Sequence, residues 1–133
     1  MDEKNKSNRS VPDRVRGLSH ILAAFCYSMG GLRRLVLEAA FVLEVSSLVV
    51  LLGLFMFIGA GWYHLLGLVV LFLMLFAIEA LNTAIECIVD EISPNYSDFA
   101  KHVKDLGSVA VFFNLTAIAT FVAFVFYRFM TSL

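Results

Sequence analysis

The sequence predicts an all-α membrane protein with three transmembrane helices and an amphipathic surface helix ahead of them. Of its 133 residues, 60% are hydrophobic and only 16% are charged, whereas soluble domains carry about 25% charged residues. A chain of this length could not hide so much apolar surface in a core of its own. The formal net charge of −1 argues against a nucleic-acid-binding protein, because no basic surplus is present to neutralise phosphates.

The segment before the spans divides into a tail and a helix. Residues 1–13 are polar and lack apolar periodicity, which predicts a disordered cytoplasmic tail. Residues 14–29 predict an amphipathic helix lying in the lipid headgroup region, and an ordinary helix packed on its own bundle is the alternative. We expect Gly30 and Gly31 to end this helix. Its apolar stripe consists of Leu18, Ile21, Leu22, Phe25, Cys26 and Met29.

Three long apolar stretches follow, and they predict spans over about 39–60, 65–89 and 107–127. Each is long enough to cross about 30 Å of hydrocarbon as a helix. Residues 59–64 predict a turn in which Trp62 is an interfacial aromatic residue. Residues 90–106 are polar and predict a loop between the second and third spans.

The distribution of lysine and arginine predicts the orientation in the membrane. Seven of the 10 lysine and arginine residues lie in residues 1–34, two lie in 90–106, and the last is Arg128. Because cytoplasmic segments are enriched in these residues, the N-terminus and the 90–106 segment are predicted to be cytoplasmic.

Acidic residues stand at the cytoplasmic ends of these spans. The segment EALNTAIE (79–86) follows fourteen uncharged residues, and helical spacing places Glu79, Asn82, Glu86 and Asp90 on one face. The topology brings other ionisable residues to the same layer. These are Glu38, Glu44, Lys104 and Asp105.

Such a layer of acids needs a cation to remain ionised. Carboxylates beside a lysine suit Mg²⁺ that arrives with nucleotide phosphates, and a carboxylate free of metal can act as a general base. These are the components of phosphoryl transfer. Intramembrane acids can instead form interhelical hydrogen bonds or an ion path. Composition alone therefore does not separate a lipid kinase from an ion or proton carrier or a structural subunit.

Two familiar kinds of site lack their sequence patterns. No GxxxxGK[ST] loop or kinase glycine-rich loop is present, which excludes a nucleotide site of the soluble-kinase type. Cys26 and Cys87 have no metal-binding spacing, and we interpret them as small apolar residues within helices.

Three segments together resemble the prokaryotic integral-membrane diacylglycerol kinase family. They are EAAF with Glu44 after it, EALNTAIECIVD (79–90) and AKHVKDLGSVAV (100–111), and the resemblance extends from about residue 19 to the third span. It implies ATP-dependent phosphorylation of a lipid alcohol at the inner face of the bacterial cytoplasmic membrane. It also implies a domain-swapped homotrimer whose active sites lie between subunits.

The resemblance assigns roles residue by residue. Glu79 corresponds to the general base, with Asn82 as a positioning group, and Glu38 and Glu86 correspond to ligands of the Mg²⁺ that accompanies ATP. The implied ATP-binding residues are Tyr27, Glu38, Glu86, Asp90, Tyr96, Lys104 and Asp105. The implied lipid-binding residues are Ser28, Ala40, Phe41, Glu44, Glu79 and Ser108.

Several of these residues also have simpler interpretations. Ser28 and Ser108 could be small residues that allow close helix approach, Tyr27 could be an interfacial anchor, and Phe41 could serve packing. Glu79 and Glu86 have no comparably simple structural explanation.

The choice of lipid rests on one short segment. Undecaprenol kinases form a sister branch of the family, but KDLGS (104–108) resembles the diacylglycerol branch. The sequence also departs from the family pattern at His20, where an arginine is usual, and at Ser97, where a histidine is usual.

Overall fold

A computed structural model of the protein describes residues 18–131, which form four α-helices and contain no strand. The helices are α1 (Leu18–Leu35), α2 (Ala39–Phe57), α3 (Trp62–Ile92) and α4 (Asp98–Thr131). The all-α fold class is therefore confirmed. The predicted tail over 1–13 and the first four residues of the predicted surface helix lie outside the described residues.

Helix α1 continues through Gly30 and Gly31 to Leu35, so the expected helix end at this glycine pair is wrong. Each glycine costs about 1 kcal/mol in a helix interior, but the extra turn buries Leu35, which is only 7% exposed. The apolar stripe does not pack on the bundle, because Ile21 and Phe25 are 64% and 63% exposed. This exposure favours the membrane-surface interpretation of α1.

A tight turn joins α2 to α3 at the end opposite to the acidic residues. Gly59 adopts a positive φ of 70°, a conformation that favours glycine. The turn is shorter than predicted, since α3 already begins at Trp62. The rings of Trp62 and Tyr63 stack at the start of α3 with centroids 3.7 Å apart.

The segment predicted as a loop over 90–106 is mostly helical. Helix α3 extends to Ile92 and α4 begins at Asp98, so only residues 93–97 connect them. The hydroxyl of Ser97 accepts a hydrogen bond from the Ala100 amide at 3.1 Å, which caps the first turn of α4. Pro94 lies in this short connection, and the Ser97 cap starts α4 soon after it, so the polar residues 98–106 are helical.

Helices α3 and α4 make the most extensive contact in the bundle, and α2 packs beside α3. Three helices, α2, α3 and α4, are long and apolar enough to cross a membrane, as predicted. Most of their apolar surface faces outward, and only 22% of the most apolar window of α3 is buried. The core consists of Phe55, Leu68, Phe72, Leu75, Ile118 and Val125.

Candidate active site

Glu79 is a buried carboxylate on α3, with only 6% of its surface exposed. It lines a cavity of about 510 Å³ between α2, α3 and α4, here called the central cavity. Glu44 of α2 lines the same cavity and is 8% exposed. The two carboxylates interact electrostatically. Burying carboxylates is costly, so their presence here points to a role in ligand binding or proton transfer.

The central cavity is polar at one end and apolar at the other. Glu79, Glu44 and Ser47 lie at the end nearest the acidic layer. The other end is lined by Leu51, Phe72, Ile118 and Val122. Its volume falls within the range of about 300–1,000 Å³ that is typical of small-molecule sites. A molecule with a polar head and an apolar body matches this lining.

Asn82 stands one turn from Glu79 and is 9% exposed. Its Nδ2 donates a hydrogen bond to Glu86 Oε1 at 3.2 Å, whereas its Oδ1 is buried without a partner among the described residues. A Cβ atom at Gly107 of α4 would overlap this Oδ1. The glycine therefore lets α4 approach the amide closely.

Two further carboxylates lie near the buried Glu79. Glu79 interacts electrostatically with both Glu86 and Glu38. Glu86 is half-buried on the same helix face, and Glu38 is the half-buried residue that precedes α2. The sequence prediction that these three acids lie in one layer matches this arrangement.

Lys104 is the nearest cation to this acidic face from α4. Its Nζ forms an ion pair with Asp90 Oδ1 at 2.5 Å, and it also interacts electrostatically with Glu86. Asp105, the next residue, is exposed. The lysine thus joins the C-terminal end of α3 to the N-terminal part of α4 beside the acids.

The donor set fits a magnesium ion that brings its own ligands. Within residues 18–131, no three His, Cys, Asp or Glu side chains converge as a preformed metal site. Glu38 and Glu86 nevertheless supply two carboxylates near Glu79, and Mg²⁺ in nucleotide sites is commonly held by one or two carboxylates plus phosphates and waters. The unpartnered Oδ1 of Asn82 is a further polar atom beside this set.

The remaining nucleotide residues of the prediction lie on exposed surface. Tyr27 on α1 is 80% exposed and Tyr96, between α3 and α4, is 81% exposed. The Tyr96 hydroxyl donates to Asp98 at 3.5 Å. Within one chain these two tyrosines do not close over the acidic layer, so their nucleotide roles stay predictions.

The predicted lipid residues divide into two groups. Ala40 lines the central cavity together with Glu44 and Glu79. Phe41 is buried and packs edge-to-face on Phe76 with ring centroids 5.0 Å apart. Helix packing therefore explains this residue without a lipid contact. The two predicted serines form hydrogen bonds within their own helices. Ser28 Oγ donates to Ala24 O at 3.0 Å, and Ser108 Oγ donates to Lys104 O at 3.2 Å.

Two polar residues were not identified as site candidates from the sequence, and their surroundings became apparent only in the structure. Asn114 on α4 is 7% exposed and its Oδ1 has no partner among the described residues. Arg34, which entered the sequence analysis only as one of the basic residues in 1–34, contacts Glu38 and Cys87. The four-residue spacing from Arg34 to Glu38 was the one sequence signal for that contact.

Comparison with known proteins gives one consistent family. The family model described as prokaryotic diacylglycerol kinase matches residues 26–126. A diacylglycerol kinase of Sinorhizobium sp is 39% identical over 129 residues, which cover 94% of each chain. Diacylglycerol kinases of Pseudomonas aeruginosa and Haemophilus influenzae are 36% and 31% identical, over 77% of this chain and 84% and 87% of theirs.

Proposed function

The chain belongs to the prokaryotic diacylglycerol kinase family and is a lipid kinase of the membrane, and we propose that it phosphorylates diacylglycerol with ATP. The products would be phosphatidic acid and ADP. The observation that carries this proposal is the buried Glu79 carboxylate at the polar end of an otherwise apolar cavity.

The cavity supports a lipid alcohol as the acceptor. Its apolar end, with Leu51 and Val122, suits acyl chains, and its polar end places a hydroxyl group beside Glu79. An ion or proton carrier would need acids deeper in its spans, whereas residues 45–78 and 106–131 contain none. The arrangement therefore favours phosphorylation over transport.

In the proposed reaction, Glu79 accepts the proton of the lipid hydroxyl while the alkoxide oxygen bonds to the γ-phosphorus of ATP. The bond from that phosphorus to the bridging oxygen breaks, and ADP leaves. A positioned general base contributes about 10²- to 10⁴-fold in rate. Asn82, hydrogen-bonded to Glu86, fixes the spacing between the base and the neighbouring acid.

The phosphates are proposed to be held by the acidic layer and Lys104. When bound, Mg²⁺ neutralises charge on the phosphate oxygens. Glu38 and Glu86 would hold it, because both carboxylates lie near Glu79. Lys104 would exchange its exposed partner Asp90 for phosphate oxygens, since exposed ion pairs are weak. Asp105 and Tyr27 are proposed to contact the nucleotide, as family members imply.

We place this chemistry at the cytoplasmic face, and propose that a homotrimer completes the site. Seven lysine and arginine residues in residues 1–34 support the orientation. The large outward apolar surface of α3 and the exposure of Tyr27 and Tyr96 support additional copies of the chain, which would cover these residues at a shared site.

The test is a phosphotransfer assay with the purified protein in detergent micelles. Radiolabelled ATP and Mg²⁺ would be offered with diacylglycerol and with undecaprenol in parallel. We expect label in phosphatidic acid and much less in undecaprenyl phosphate. Label in undecaprenyl phosphate alone would move the substrate to the sister lipid, and transfer to neither lipid would reject the proposed activity.

A further inference from the structure

Arg34 lies beside Glu38, one of the two carboxylates proposed to hold the metal. It stands in the last turn of α1, and its Nε is 3.7 Å from Glu38 Oε1. One terminal guanidinium nitrogen donates to the Sγ of Cys87 at 3.9 Å. Cys87 follows Glu86 directly on α3. One side chain thus connects the end of the surface helix to Glu38 and to α3.

Neither contact holds the guanidinium firmly. The Arg34 and Glu38 side chains are 65% and 40% exposed, and ion pairs at such exposure contribute little to stability. A thiol sulfur is a weak acceptor. Most of the five donors of this guanidinium therefore remain available, in a planar arrangement that matches phosphate oxygens.

Arg34 also has space in which to move. A second cavity of about 380 Å³ lies between α1 and α3, and Arg34 lines it together with Ser28, Thr83 and Cys87. The cavity leaves open space beside the side chain. The neighbouring Arg33 is exposed and has no ion pair among the described residues.

We propose that Arg34 is a phosphate-positioning residue, an inference that rests on the proposed kinase function. Without nucleotide, Arg34 pairs with Glu38 and supplies positive charge to the acidic layer. When Glu38 becomes a metal ligand, the guanidinium is released and turns to phosphoryl oxygens. The shared chemistry is a phosphoryl group, which could belong to the nucleotide or to a phosphorylated lipid.

The first test measures binding without turnover. Arg34→Gln, Arg34→Lys and the matched control Arg33→Gln would be titrated with the magnesium complex of β,γ-methylene-ATP and, separately, with phosphatidic acid in mixed micelles. Arg34→Gln is expected to weaken binding of at least one ligand by about tenfold, as lost charge-assisted hydrogen bonds do. Arg33→Gln should stay near wild type, with Arg34→Lys between them.

The two ligands identify the source of the phosphoryl group. A loss confined to the methylene-ATP complex assigns Arg34 to the nucleotide, and a loss confined to phosphatidic acid assigns it to the lipid product. Equal binding by Arg34→Gln and Arg33→Gln for both ligands would overturn the inference.

The second test uses Cys87 to detect movement of Arg34. In a Cys26→Ser background, Cys87 is the one remaining thiol, and its alkylation rate would be followed with and without saturating Mg²⁺ and methylene-ATP. The rate should fall on ligand binding, because Cys87 is exposed and the departing guanidinium no longer stabilises negative charge on the attacking sulfur. In Arg34→Gln the rate should already be low and should not respond, whereas Arg33→Gln should respond like the parent.

The same ligand response in Arg34→Gln and in the parent would contradict the exchange of partners. Failure of the proposed function and failure of the Arg34 inference give different results. A parent protein that phosphorylates neither lipid rejects the proposed function, while an active parent with indistinguishable Arg34→Gln and Arg33→Gln variants rejects only the role of Arg34.

Discussion

Asn82 on α3 occupies the space that a side chain at position 107 of α4 would need. Its Oδ1 lies where a Cβ atom would stand on Gly107, while its Nδ2 donates to Glu86 at 3.2 Å. At this point the two longest helices pack together around an amide that also contacts the acidic layer. Helix packing and the proposed site are coupled through this one residue.

Gly107→Ala is expected to lower both activity and stability. The added methyl group must push Asn82 away from its position, and overpacking of this kind costs about 1–3 kcal/mol. Thermal inactivation and phosphotransfer in micelles would measure the two effects. Gly53→Ala is the matched control, because nothing lies within 4 Å of its added Cβ. Equal behaviour of the two variants would contradict the coupling.

Substitution of the proposed metal ligands should change the magnesium requirement. Glu38→Ala and Glu86→Ala each remove one carboxylate near Glu79, so a higher Mg²⁺ concentration should be needed for half-maximal rate. The exposed Glu91, which is not part of the proposed site, provides the control Glu91→Ala. If the Mg²⁺ titrations of all three variants overlaid that of the wild type, the ligand assignment would be wrong.

Filling the central cavity should raise the diacylglycerol KM without changing that for ATP. Ala119 lines the cavity, and Ala119→Trp would occupy volume proposed for acyl chains. Ala117, two residues earlier on the same helix, does not line it, so Ala117→Trp is the control. Size-exclusion chromatography would verify that both variants assemble alike. An unchanged diacylglycerol KM in Ala119→Trp would place the lipid elsewhere.

Asn114→Leu is expected to stabilise the protein by about 1 kcal/mol with little effect on the rate. The Oδ1 of Asn114 is buried without a partner among the described residues, and such groups cost about 1–3 kcal/mol. Leucine has a similar volume and removes the unpaired atom. Chemical unfolding in detergent would measure the difference. Destabilisation would instead show that Asn114 has a partner in the assembled protein.

The sequence predicted the parts of this structure that depend on periodicity and hydrophobicity. Three apolar stretches became three long helices, and helical spacing placed Glu79, Asn82 and Glu86 on one face, because both features are properties of a single segment. The family resemblance supplied the chemical roles, which spacing alone had left open between a kinase and a carrier.

Features that depend on contacts between segments were not predictable. Gly30 and Gly31 remain helical because Leu35 gains burial further along, and local propensity does not include that gain. The Ser97 cap that starts α4 is instead a local contact, which the polar composition of 90–106 concealed. The contact of Arg34 with Cys87 joins residues 53 positions apart, and no local pattern indicates it.

Glu79→Gln tests the central claim most directly. The substitution keeps the size and hydrogen-bonding capacity of a buried side chain but removes the proton acceptor. We predict a fall in phosphorylation of diacylglycerol of about 10²-fold or more, with assembly and binding of the magnesium methylene-ATP complex retained, and wild-type activity in the exposed control Glu91→Gln. Near-normal phosphorylation by Glu79→Gln would contradict the account, because a buried carboxylate at the end of the cavity would then have no part in the chemistry.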